Sequence, residues 1–166
     1  MIKNKGFWIL TLSFIVISLI SVAVIFNTLD ARSQFPNSIK IDGSGHAEKE
    51  FEIRNLQLHP NESKSYTVEV APEFGGEFEI SINYLEIEDG GLKEFVNVSV
   101  AIDGKEVATY SLKNLLEGKS NIVLLQTFDE KQPLKLTVTY IMPYEVGNEA
   151  KGAFANFNVT VIFDKK

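Results

Sequence analysis

Residues 95–112 read FVNVSVAIDGKEVATYSL, and this pattern decides the fold class. Val96, Val98, Val100 and Ile102 fall at every second position, which gives a strand one apolar face. Asp103-Gly104 separates that run from a second one, residues 105–112. An Asp-Gly pair between two such runs predicts a hairpin closed by a two-residue turn. The period of two recurs on both sides of this hairpin. Upstream, Phe51 and Ile53 alternate, then Leu56 and Leu58, with a slip at Asn55 that predicts a β-bulge. Tyr66, Val68 and Val70 make the next strand, and Phe78, Ile80, Ile82 and Tyr84 the one after it. Leu85 and Ile87 continue on the other phase, so this strand either bulges near Tyr84 or ends there. Downstream, Leu134, Leu136, Val138 and Tyr140 alternate, and Ala155, Phe157, Val159, Val161 and Phe163 close the chain.

Breakers fall between these runs. They are His59-Pro60-Asn61-Glu62, a loop around Pro72 and Gly75-Gly76, Asp89-Gly90-Gly91, then Pro143 and Gly147-Asn148. Residues 121–126 are apolar without alternation, which predicts a short strand covered on both faces. Residues 111–118, SLKNLLEG, carry the one helical pattern after residue 30, with Gly118 as its cap. Eight or nine strands joined by short turns, without strand–helix alternation, exclude a parallel α/β sheet. The expected fold is all-β: an antiparallel two-sheet sandwich of jelly-roll type, preceded by one N-terminal hydrophobic helix.

That helix is residues 7–26, FWILTLSFIVISLISVAVIF, twenty residues with no charge, Gly or Pro. At about 1.5 Å per residue it reaches roughly 30 Å, the depth of a bilayer's hydrocarbon core. Lys3 and Lys5 precede it and no acid does, which keeps the N-terminus in the cytoplasm and exports the rest. Two readings stand side by side. One is a cleaved signal, cut between Ala31 and Arg32; the other is a retained membrane anchor, favoured by the length of the run. The domain plan is therefore a signal or anchor over 1–31, an N-terminal arm over 32–45, and the sandwich over 46–166.

The chain has 166 residues, 16 basic and 22 acidic, for a net charge of −6. Loss of residues 1–31 removes Lys3, Lys5 and Asp30 and leaves 14 basic and 21 acidic residues, a net of −7. So acidic a surface repels phosphate backbones, and no nucleic-acid partner is expected. With no cysteine, thiol catalysis, Fe–S clusters and cysteine zinc sites are excluded. Nine of the twelve Phe and all five Tyr fall after residue 31 and supply the apolar mass that such a domain needs to stand without disulfides.

No catalytic constellation emerges. His46 in the linker and His59 in a turn read as solvated, and neither HExxH nor G-x-S-x-G occurs. Glu48, Glu50 and Glu52 line one strand face, and Glu86, Glu88 and Asp89 cluster at a strand end. Both groups read as solvated faces, with a Ca²⁺ site as the weak alternative because hard cations take six to eight oxygens. Catalytic and metal residues are thus none, and no cofactor is expected. Asn61, Asn97 and Asn158 each head an Asn-x-Ser/Thr sequon and are candidate glycosylation sites on an exported domain.

Residues 140–163, YIMPYEVGNEAKGAFANFNVTVIF, resemble the closing motif of the TasA/camelysin family of exported β-sandwich proteins. The matching positions are Tyr140, Pro143, Asn148, Gly152 and the strand over 157–163. Lys151 stands where the family often has Gln, and Tyr140 where it often has Trp. Leu58, Pro60 and Glu62 are similar to the family's L-x-P-G-D/E turn, with Asn61 in place of Gly. The resemblance implies a jelly-roll subunit of an extracellular fibre, biofilm matrix or archaeal bundling pilus, whose N-terminal segment adds as a strand to the next subunit. Camelysin relatives are classed as metallopeptidases, but this chain carries no metal-ligand motif to transfer.

The residues supply a candidate donor strand. Ser38, Ile39, Lys40, Ile41 and Asp42 alternate and are set off from the body by Gly43-Ser44-Gly45. An open sandwich leaves strand edges unpaired, and a detached strand can complete one on a neighbour; the other reading is an ordinary first strand of its own domain. The expected protein is a non-enzymatic homopolymer subunit, head to tail, at the cell surface or outside the cell. Before processing, its N-terminal segment would lie in the cytoplasmic membrane and meet signal peptidase. The alternatives are a membrane-anchored binding or accessory domain and, less favoured, an exported hydrolase.

Overall fold

The chain divides into a unit of residues 1–32 and a unit of residues 33–166. A computed structural model describes residues 38–130 and 132–166. The expected helix over 7–26 and the candidate cleavage site at Ala31 and Arg32 lie outside the described residues. Among the described residues, no helix is long and apolar enough to cross a membrane.

The described part is an all-β sandwich. Its nine strands are β1 (Ser38–Ile41), β2 (His46–Leu56), β3 (Ser63–Pro72), β4 (Gly76–Asp89), β5 (Asn97–Ile102), β6 (Lys105–Ser111), β7 (Ile122–Phe128), β8 (Leu134–Ile141) and β9 (Ala155–Lys165). One sheet has five strands in the order β1-β3-β8-β5-β6, the other four in the order β2-β9-β4-β7. Every pairing is antiparallel except that of β1 with β3. Pairing is nested: β5 with β6, β4 with β7, β3 with β8, and β2 with β9. The chain thus behaves as one long hairpin folded about the β5–β6 turn, then closed by the β4–β9 and β5–β8 pairs.

Local chemistry explains the elements. Asp103 and Gly104 both have positive φ, 49° and 79°, the requirement of a two-residue hairpin turn whose twist matches its strands. Asn55 sits at φ 51°, where the β2–β9 register shifts between Ile53 and Leu56, so the slip in alternation is a bulge. In the His59–Glu62 turn, the Glu62 amide donates to the His59 carbonyl and the Glu62 carboxylate accepts from the His59 amide. Asn61 takes φ 65° there, a left-handed position that Asn tolerates, so Asn can stand in a glycine's place. The strand carrying Leu85 and Ile87 does not end at Tyr84; β4 runs on to Asp89 with a register shift between Glu86 and Glu88. The helical pattern forms α1 (Leu112–Leu116), which buries Leu112 and Leu115.

The alternating positions meet in one core. Val68, Val70, Ile80, Ile82, Val98, Val100, Leu136, Val138, Phe157 and Phe163 are all buried. At one end Tyr140 packs edge-on against Tyr66 at 5.9 Å and tilted against Phe157 at 5.5 Å, while Tyr84 lies 5.8 Å from Phe157. The Tyr140 hydroxyl donates to that of Tyr84 at 3.4 Å. On the outer face of the five-stranded sheet, Ser65 and Thr139 share a 2.9 Å hydrogen bond, as do Thr67 and Thr137. Such cross-strand hydroxyl pairs help hold register.

One expectation is corrected. Residues 121–126 were expected to be covered on both faces. β7 is instead an edge strand of the four-stranded sheet, with Val123 51% and Leu125 62% exposed. An unbroken apolar run reports that both faces are apolar; it does not report that both are covered.

The Gly90 amide donates to the Phe154 carbonyl at 2.8 Å, which seats this glycine against the segment before β9. A Cβ on Gly90 would lie 2.4 Å from the Phe154 ring. Gly90→Ala should therefore destabilise the domain by about 1–3 kcal/mol in urea unfolding. Phe154→Ala in that background should cost at least about 1 kcal/mol less than in the parent chain, because the clash and the ring are coupled.

Candidate functional site

The candidate donor strand is β1. Alternation puts Ile39 and Ile41 into the core, while Ser38 and Lys40 stay exposed. β1 pairs in parallel with β3, Ser38 opposite Glu69 through Ile41 opposite Pro72, at the edge of the five-stranded sheet of its own domain. Asp42 is not part of the strand. Its carboxylate accepts from both the amide and the hydroxyl of Ser44, and its carbonyl accepts from the Gly45 amide at 3.0 Å. These bonds to Ser44 hold the Asp42 carboxyl below its ordinary value. The Gly43-Ser44-Gly45 segment is thus a compact turn that carries the chain from one sheet to the other.

The far side of the turn is pinned. Gly45, at φ 77°, lets its carbonyl accept from the Lys165 amide at 2.9 Å; a Cβ there would lie 2.9 Å from that of Lys165. The Lys165 ammonium lies 4.1 Å from the centre of the Phe74 ring, a cation–π contact. His46 opens β2 opposite Asp164, and its Nδ1 is 2.7 Å from the Asp164 carboxylate. That hydrogen bond raises the His46 pKa above its ordinary 6.5, with smaller help from the charges of Asp164, Glu48 and Asp42. His46 is solvated as expected, its side chain 53% exposed, but the reading of it as a linker residue is corrected: it belongs to a strand and has a carboxylate partner. The sequence could not signal this, because Asp164 lies 118 positions away.

Five of the six clustered carboxylates meet another side chain. Lys93 reaches Glu86 at 2.7 Å and Asp89 at 3.6 Å, and Asp89 also accepts from the Gly91 and Lys93 amides. Glu88 accepts from Asn156, Glu50 from Asn158, and Glu52 pairs with Arg54. Glu50, Phe51, Glu52, Ile87 and Asn158 line an open depression on the four-stranded sheet. Among the described residues, no three His, Cys, Asp or Glu side chains converge as metal ligands would.

The three sequons sit in different settings. Asn61 is exposed in a turn, and Asn97 is exposed at the start of β5. Asn158 lies on the central strand β9, half-buried, and its side-chain nitrogen, the atom a glycan would bond, donates to Glu50 at 2.7 Å.

No family model matches the chain, and no curated protein does. Three of the solved structures to which the chain is similar are as follows. The first is a cycloalternan-forming enzyme of Listeria monocytogenes in complex with a pentasaccharide (13% identity, TM-score 0.28, over 70% of this chain and 8% of that one). The second is PliG of Salmonella Typhimurium, a periplasmic inhibitor of g-type lysozyme (10% identity, TM-score 0.29, over 78% and 100%). The third is dimeric latent PorU of Porphyromonas gingivalis (13% identity, TM-score 0.29, over 81% and 14%). The chain thus spans a small part of the first and third of these proteins, and likeness at this level carries no functional argument.

Two titrations test the site and the core behind it. With two histidines in the chain, NMR can follow the His46 imidazole directly. Its midpoint should lie above 6.5 and fall in Asp164→Asn. A raised histidine pKa gives stability that is complete below the unfolded value and is lost as pH rises through the folded one, so the pin is strongest in mild acid. Burial raises the Tyr84 and Tyr140 phenols above their ordinary 10.0. Their contribution is intact below pH 10 and falls above it. Tyrosinate absorbance should show a late alkaline step concurrent with unfolding; in Tyr84→Phe/Tyr140→Phe that step should shrink.

Proposed function

We propose that the chain is an exported, non-enzymatic structural subunit of the TasA/camelysin kind that assembles head to tail by passing β1 to a neighbour. The observation that carries this reading is β1 itself: a four-residue parallel edge strand with two core isoleucines, joined to the sandwich by one turn. Fixing four residues costs about 4–8 kcal/mol of backbone entropy. Burying two isoleucines returns about 3–6 kcal/mol. The two terms nearly cancel, so the hold on the strand rests on its row of hydrogen bonds to β3, and parallel pairing is the weaker kind. A copy whose β1 swings out leaves the β3 edge and the seats of Ile39 and Ile41 open, and β1 of another copy fills them with the same contacts. Each exchange leaves one donor and one acceptor unused, so the contact does not close and a filament grows.

The nested strand pairing supports reading the sandwich as a jelly roll. With β1 set aside, two four-stranded sheets remain, β2-β9-β4-β7 and β3-β8-β5-β6, rolled from one long hairpin. The pinned turn supports the same mechanism. His46 and Gly45 hold β2 to β9, so motion of β1 is confined to the residues before them. In this reading residues 7–26 direct export, removal of residues 1–31 frees the arm, and the subunit works outside the cell or on its surface.

The test uses Lys40 and Ala71, which face each other across β1 and β3. In protein beginning at Arg32, Lys40→Cys/Ala71→Cys oxidised as a monomer should lock β1 at home and give no filaments by electron microscopy. Reduction should restore them. Filaments oxidised after assembly should give a ladder of disulfide-linked chains on a non-reducing gel. Filaments from the locked monomer, or single chains only from oxidised filaments, would sink the proposal.

A further inference from the structure

The four sheet edges are not treated alike. β1 is four residues long and carries Lys40. β2 carries Glu48, Lys49, Glu50, Glu52 and Arg54 and has a bulge. β6 carries Lys105 and Glu106 and has a register shift against β5. Short length, charge and bulges are the usual means by which an edge avoids pairing with another chain. β7, IVLLQTF, has none of them: seven residues, no charge, no Pro or Gly, in unbroken register with β4 from Phe128 to Ile122. Val123 and Leu125 stand exposed on its outer face, 51% and 62%.

We propose that β7 is the contact edge for a second copy of this chain, paired antiparallel across a two-fold axis at Leu124. Side chains opposed across antiparallel strands share a face, so only registers pairing odd with odd and even with even positions are allowed. The register centred on Leu124 sets Val123 of each copy against Leu125 of the other and so covers the most exposed apolar side chains of the strand. The ends of the strand fit as well. Lys119 precedes β7, paired with Glu117 in an exposed ion pair, while Asp129 and Glu130 follow it. Antiparallel pairing about Leu124 sets Lys119 of each copy opposite Asp129 of the other. Two four-stranded sheets become one of eight, and the contact is isologous and closes. It uses the sheet opposite to the one that holds β1, so it does not rest on the filament reading; in a filament it would join neighbours side by side.

The chain has no cysteine, so single replacements report position cleanly. Full-length protein in detergent carrying Leu124→Cys should form a disulfide-linked dimer, since residues opposed across the axis lie within disulfide reach. Thr127→Cys, three residues off the axis, would hold its sulfurs about 20 Å apart and should not cross-link. Nor should Val107→Cys on the β6 edge. Adding Leu125→Lys should cut the Leu124→Cys dimer at least tenfold while leaving the thermal melt unchanged. Lys119→Glu should weaken the dimer, and Lys119→Glu/Asp129→Lys should restore it. Equal cross-linking at 124 and 127, no dimer at any protein concentration, or a Leu124→Cys disulfide to Ile41→Cys in the same chain would each overturn the proposal.

Discussion

Everything described in this domain depends on the inward face of its last strand. Ala155, Phe157, Val159, Val161 and Phe163 have no solvent exposure, and β9 sits between β2 and β4 in the middle of its sheet. β2, at the start of the sandwich, finds its only strand partner in β9, at the end of the chain, among the described residues. The core and one sheet are therefore completed only when the two ends meet. Such pairing is non-local, and its loop-closure entropy must be met before the contacts repay it, which is the condition for slow, cooperative folding.

The same geometry gives the N-terminal turn its character. Because β9 is central and pinned from both sides, its end can hold Gly45 and His46 firmly through Lys165 and Asp164. β1, only a few residues earlier, belongs to the other sheet and rests on two isoleucines and one row of parallel hydrogen bonds. A strongly held segment and a weakly held one are thus adjacent in sequence and separated by a turn. That contrast is what makes exchange of the first strand physically reasonable without any loss of the sandwich.

The acidic surface is less open to ligands than its composition suggests. Glu86, Glu88, Asp89, Glu50 and Glu52 each meet a lysine, an arginine or an asparagine amide. Glu50 and Glu88 accept from asparagines of the neighbouring strand β9, Glu52 pairs within β2, and Glu86 and Asp89 meet Lys93 just after β4. The apolar surface shows the opposite. Leu85, Ile87, Val123 and Leu125 are exposed on β4 and β7, where alternation fails in the sequence.

Strand identity was legible in the sequence because it is local: period two at 66–70, 78–82, 96–102 and 155–163 marks one face apolar wherever the strand ends up. The hairpin at Asp103-Gly104, the bulge at Asn55 and the turn at Asn61 were legible for the same reason, since backbone conformation there follows from two or three adjacent residues. Neighbourhood was not legible. That residues 122–128 form an edge, that Ile39 and Ile41 lie beside Val70 and Pro72 in parallel, and that His46 meets Asp164 are facts about residues far apart in the chain. The sequence by itself determined which faces are apolar and where the chain turns. Only the tertiary structure decided which of those faces are covered, because burial depends on what packs from elsewhere and not on the pattern of the strand itself.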